Sequence, residues 1–247
     1  MQADPAAQRR LLEMSAIDIS LTQLDHRRRN LPEHQELAAL AKQRTALTEQ
    51  NVAVETQLAD LAAEQDRLDA DLDPARARLA RDEQLAQAGM AGDQRALRGI
   101  LDEIEHLKGR ISDLEDATLE LMERTEQTEA MHARLLAERE DVERLIREAL
   151  GRRDAVLHEL NDEEVALKQR RNALTAQGPT DLLALYEKIA SRNGTGAAEL
   201  RAGRCGGCGL QVDATDLHRF AAAAPTDVLR CEECGRILVR TDESGLR

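Results

Sequence analysis

The stretch that decides the fold is 37–79, "LAALAKQRTALTEQNVAVETQLADLAAEQDRLDADLDPARARL". Its apolar residues step by three and four: Leu37, Leu40, Leu47, Val54, Leu58, Leu61, Leu68, Leu72, Ala75 and Leu79. Arg44, Asn51 and Gln65 fill the remaining places in the row. A helix turns once in about 3.6 residues, so this spacing draws a narrow apolar stripe along one face. Sustained over this length, such a stripe is the seam of a coiled coil rather than the broad face of a helix on a globular core.

A second row runs from Leu97 to Ala149 through Ile104, Ile111, Leu121 and Val142, with Thr118, Thr125, Thr128 and His132 as polar members. It continues more loosely through Val156, Leu160, Leu167 and Leu174. Gly89 and Gly92 lie between the rows and supply the natural turn, near residues 88–93. A reversal there makes two residues face each other when their numbers add to about 181. Asn51 then falls between Thr128 and His132, Gln65 lies near Thr118, Leu24 faces Leu157, Leu21 faces Leu160, and Ile17 sits beside Val165. Polar meets polar and apolar meets apolar, which favours one antiparallel hairpin over two independent helices and helps to fix its register. The arms cover about 6–87 and 94–175. Breaks are expected at Pro32 and at Pro74, where Asp73 has the character of an N-cap.

Composition agrees. The chain has 247 residues, one Phe, one Tyr and no Trp, too few aromatics for a large compact core. A third of it is charged and the net charge is -13. Residues 201–247 hold seven basic and seven acidic side chains, so the whole excess lies in the first 200. That acidic surface repels nucleic acid and anionic membranes. Nothing in the sequence approaches the roughly 18 consecutive apolar residues of a membrane span, and the N-terminus lacks the pattern of a secretory signal. A cytoplasmic protein is the expectation.

The hairpin domain is assigned to 1–177. From 178 to 247 the pattern changes to a short amphipathic helix, "DLLALYEKIASR", and a segment that contains every cysteine. Cys205-x-x-Cys208 and Cys231-x-x-Cys234 have the spacing of a four-thiolate zinc site, and each pair is followed by a glycine, Gly209 or Gly235. Four thiolates fill a tetrahedron and leave no position for water, so one zinc per chain would be structural, replacing the core that so small a segment lacks. A redox-active dithiol is the rival reading of one such pair. His218 lies between the pairs but is not needed as a ligand. "RILVR" alternates as a strand, with Ile237 and Val239 on one face and Leu238 on the other. Arg204, Arg219, Arg230, Arg236 and Arg240 surround the cysteines, either to grip nucleic-acid phosphates or to offset thiolate charge. No phosphate loop, HxxxH pair or nucleophile elbow occurs, so no catalytic constellation is predicted.

The tip "GDQRALRGILDEIEHLKGRISDLED" (92–116) and the ending "CEECGRILVR" (231–240) resemble the bacterial C4-type zinc ribbon domain proteins, and the actinobacterial branch in particular. The resemblance spans nearly the whole chain. It implies a mainly α protein, a long antiparallel coiled-coil hairpin followed by a small C-terminal zinc ribbon, with Cys205, Cys208, Cys231 and Cys234 as ligands. It implies no reaction; some members are described as adaptors that engage RNA, a sigma factor or export components. The reading is therefore a non-enzymatic adaptor for protein partners, a monomer or weak homodimer. Nucleic-acid binding through the ribbon and a redox-sensitive zinc chaperone are the alternatives.

Overall fold

The computed structural model describes residues 1–88 and 94–246. Its elements are α1 (Pro5–Arg29), α2 (Pro32–Gln87), α3 (Gln94–Ala176), α4 (Thr180–Asn193), β1 (Ala197–Arg201), β2 (Arg204–Cys205), α5 (Ala214–Ala222), β3 (Leu229–Arg230) and β4 (Ile237–Arg240). Helices α1 and α2 form one arm of a hairpin and α3 the other. The turn expected at 88–93, with Gly89 and Gly92, falls outside the described residues apart from Ala88. Two compact units result: Glu36–Leu150, and Met1–Gln35 together with Gly151–Arg247.

In the unit Glu36–Leu150 every buried residue among those described lies on one of the two sequence rows. Leu47, Asn51, Val54, Leu61, Leu72 and Ala75 come from α2; Ile104, Leu107, Ile111, Leu121, Thr128, Val142 and Ala149 come from α3. The packing is a seam one or two side chains wide, flanked by ion pairs such as Arg78–Glu103 and Arg110–Asp71. These two pairs add to 181, but Arg76–Glu115 and Lys108–Glu83 add to 191 on the opposite flank. The core layers between them, such as Leu72 and Ala75 against Ile111 and Leu114, centre on about 186. The register is thus offset by about five residues from the expected one. Gln65 lies beside Met122 and Thr125, not Thr118. The Asn51 layer persists, because Asn51 Nδ2 and His132 Nε2 share Glu55 Oε1 at 3.2 and 3.4 Å.

The expected break at Pro32 is present: α1 ends at Arg29, Asn30 caps it, and Pro32 opens α2. The break expected at Pro74 is absent, for α2 runs through it. Pro74 lacks an N–H and forfeits one helical hydrogen bond. It sits on the solvent face, however, and the packed residues on either side, Leu72 and Ala75, hold the helix together.

In the other unit, α1 packs against the end of α3. Leu24 and Leu31 are buried with Leu160, the residue expected opposite Leu21, and Val156, Leu157 and Leu167 pack against them. Ile17 is buried, but Val165 is exposed and does not cover it, another consequence of the offset. The sheet has the order β2-β1-β4-β3, with β1 and β4 parallel and the outer pairs antiparallel. Side chains alternate across it. Ile237, Val239 and Ala197 meet Ala7, Leu11 and Met14 of α1 and Leu182, Tyr186 and Ile189 of α4. Leu238, Ala198 and Leu200 face Phe220, Leu229 and the cysteines. The chain's N-terminal residues are pinned to the ribbon: Ala3 N donates to Thr226 O, Val228 N to Met1 O, and the buried Gln8 amide to Ala3 O and Thr226 O.

Candidate metal centre

Each cysteine pair sits in the same tight backbone turn. Cys205 N donates to Leu210 O and Gly209 N returns to Cys205 O at 2.8 Å. In the second turn Cys231 N donates to Arg236 O and Gly235 N to Cys231 O, again at 2.8 Å. Gly209 and Gly235 close the turns with φ of 77° and 72°, a region that costs an L side chain strain and glycine little. Strand β2 presents the first pair, and the β3–β4 hairpin presents the second.

The turns bring all four Sγ atoms within 4.8 Å of one another. Cys205 and Cys234 are 3.8 Å apart and Cys208 and Cys231 are 3.9 Å apart. A tetrahedron with Zn–S arms of about 2.3 Å has edges of roughly 3.8 Å. The cluster therefore fits a metal of that size. These separations are far beyond the S–S bond length of roughly 2.05 Å, and all four cysteines are free. Burial pushes the Cys205 and Cys231 thiols up, so without a cation they resist ionisation. Burial also opposes ionisation of Cys234. Hydrogen bonds from the Arg236 backbone and side chain and from the Cys231 and Cys205 thiols outweigh it and bring Cys234 to about 7. Two buried thiols raised by burial gain most from a divalent ion that replaces their protons. His218 is not part of the cluster.

The five arginines have different surroundings. Arg236 reaches back to Thr195 O and Oγ1 and to Asn193 O. Arg240 caps the carbonyls of Ala223, Ala224, Pro225 and Asp227. Arg219 bridges Asp216 and Glu232 and lies 5.4 Å from the Phe220 ring centroid. Arg230 Nε donates to Gly235 O at 3.1 Å, while Arg204 is exposed. Sequence reasoning missed these backbone-capping roles and the polar network behind the sheet. There Tyr186 OH donates to Asp18 Oδ2 at 2.7 Å, Arg171 holds Asp18 and Glu187, and Ser15 Oγ donates to Ala197 O. Its members are up to 182 residues apart in sequence and carry no local pattern.

A helical hairpin that carries a four-cysteine ribbon defines a class of protein. This chain belongs to the CT398-like coiled coil hairpin family, whose model matches residues 14–194, and it carries a C4-type zinc ribbon domain matched over residues 204–238. An uncharacterized Mycobacterium tuberculosis protein is 32% identical, covering 98% of each chain. A Mycobacterium leprae relative is 27% identical over 91% of this chain and 96% of its own. A solved Mycobacterium smegmatis structure superposes with a TM-score of 0.86 at 35% identity, covering 98% of this chain and 100% of that one. CT398 of Chlamydia trachomatis shares the fold at a TM-score of 0.66 and 17% identity, over 96% and 98% of the two chains. Among the described residues no helix is long and apolar enough to cross a membrane.

Proposed function

We propose that this protein is a non-enzymatic cytoplasmic adaptor. The hairpin docks protein partners, and the ribbon, held by one zinc ion on Cys205, Cys208, Cys231 and Cys234, is a second head. The observation that carries the reading is apolar surface on the hairpin beyond its own seam. Val52, Leu119, Met122 and Met131 are 56%, 59%, 51% and 55% exposed on the helix pair. A hollow of about 640 Å³ opens between the arms, where Ala53, Val54, Ala130, Met131 and Leu135 form the apolar lining. Flexible methionines at such a place suit contact with protein side chains of varied shape. Closed four-sulfur coordination leaves zinc a structural role. The nucleic-acid reading has less support, because the terminal nitrogens of Arg219, Arg236 and Arg240 already donate within the chain.

The test is affinity capture from native lysate with the zinc-loaded chain beside Met122→Lys and Met131→Lys. A partner retained by the wild type and lost from these variants, with zinc content and helix signal unchanged, supports hairpin docking. Equal capture by all three chains would remove the hairpin surface from the account.

A further inference from the structure

One small hollow, of about 230 Å³, lies between α4 and the second cysteine turn. Its lining includes Lys188 and Arg192, one turn apart on α4, Arg230 of β3, and Cys234 and Gly235, beside Leu185 and Ile189. This chain is strongly acidic, yet no ion pair among the described residues engages any of these three cations. Of the carboxylates nearby, Glu187 pairs with Arg171 and Glu232 with Arg219. The Arg230 head is held in place, because its Nε donates to Gly235 O at 3.1 Å. That leaves its terminal nitrogens for another acceptor.

Charge decides what the hollow accepts. Lys188, Arg192 and Arg230 line it, and no Asp or Glu does. Three cations with no carboxylate among them favour an anion of more than one charge. Size agrees, since 230 Å³ is below the roughly 300–1,000 Å³ of sites for larger ligands and suits one oxyanion with a small substituent. Two guanidinium groups and an ammonium offer charge-assisted donors of the kind phosphate oxygens accept.

We infer that this hollow is a binding site for a phosphate dianion, either free or as the terminal group of a small phosphomonoester. The inference stands apart from the adaptor reading, which concerns the hairpin.

Titration calorimetry of the zinc-loaded full chain at low ionic strength tests it, with inorganic phosphate in one arm and glycerol phosphate in the other. Saturable one-site binding in either arm is expected, and the arm that binds more tightly identifies the source. Lys188→Gln and Arg192→Gln should each weaken it on the order of tenfold, the usual worth of a charge-assisted hydrogen bond. Lys108→Gln, on the hairpin, should leave it unchanged. Absence of saturable binding, or equal loss in Lys108→Gln, would overturn the proposal. So would variants that hasten zinc release to a chromogenic chelator yet bind phosphate as the wild type does, for the cations would then serve only the thiolates. An oligonucleotide that binds the hollow far more tightly than either small phosphate would replace it with a nucleic-acid site.

Discussion

Tyr186, the chain's one tyrosine, is fully buried where α4 meets α1 and the sheet. Its hydroxyl donates to Asp18, and burial first, then that hydrogen bond, raises its pKa. Tyr186→Phe keeps the ring and removes the donor, so it should cost about 1–3 kcal/mol, read by urea unfolding. Gly196→Ala should cost more, because a Cβ there would collide with the Tyr186 carbonyl oxygen. Glu164 offers a pH test. Lys168 and Arg28 hydrogen-bond it and lower its pKa from 4.5 to about 2. A depressed carboxylate stabilises the fold above its unfolded pKa and loses that contribution as pH falls through the folded one. The stability gap between wild type and Glu164→Gln should be full above about pH 4.5 and close towards pH 2; a gap that stays constant over that range would contradict the pairing. At this scale the cysteines were legible because two-residue spacing is a local signal. Tyr186 with Asp18, and Gln8 with the ribbon carbonyls, were not, because folding alone brings them together.

Among the elements, the two helical rows were readable and their offset was not. A three-four repeat states which face of a helix is buried, but one row slid along the other by a turn or two still meets apolar side chains. The register rests on longer-range choices, among them the Asn51–Glu55–His132 layer and the flanking ion pairs. Spin labels at Glu64 and Arg124, which pair at 3.5 Å in the structure, should lie nearer than labels at Glu64 and Glu115. The reverse order would restore the register expected from the sequence. Pro74 was misread for a related reason: a proline predicts a break only when nothing holds its flanks. Pro74→Ala restores an amide donor on an exposed face of α2 and should stabilise the hairpin by up to about 3 kcal/mol, seen as a higher midpoint of helix unfolding. No gain would show that the helix had already accommodated the ring.

For the whole molecule, α1, the end of α3, α4 and the sheet lie in one compact unit. Composition could not show this grouping, because the apolar face that joins them is assembled from the chain's beginning and its end. The ribbon's inner layer is completed by cysteines, with Cys205 and Cys231 buried among Leu200, Phe220 and Leu238. Without metal that layer holds thiols whose burial no ion offsets. Zinc loss should therefore open the segment around the two cysteine pairs while the unit Glu36–Leu150 keeps its helices. The most direct measurement is native mass spectrometry of the full chain and of Cys231→Ser, with amide exchange on the same samples. The account predicts the mass of one zinc per wild-type chain, none in the variant, and loss of protection confined to the ribbon and the elements packed on it. A metal-free wild-type chain whose ribbon amides remain protected would contradict it.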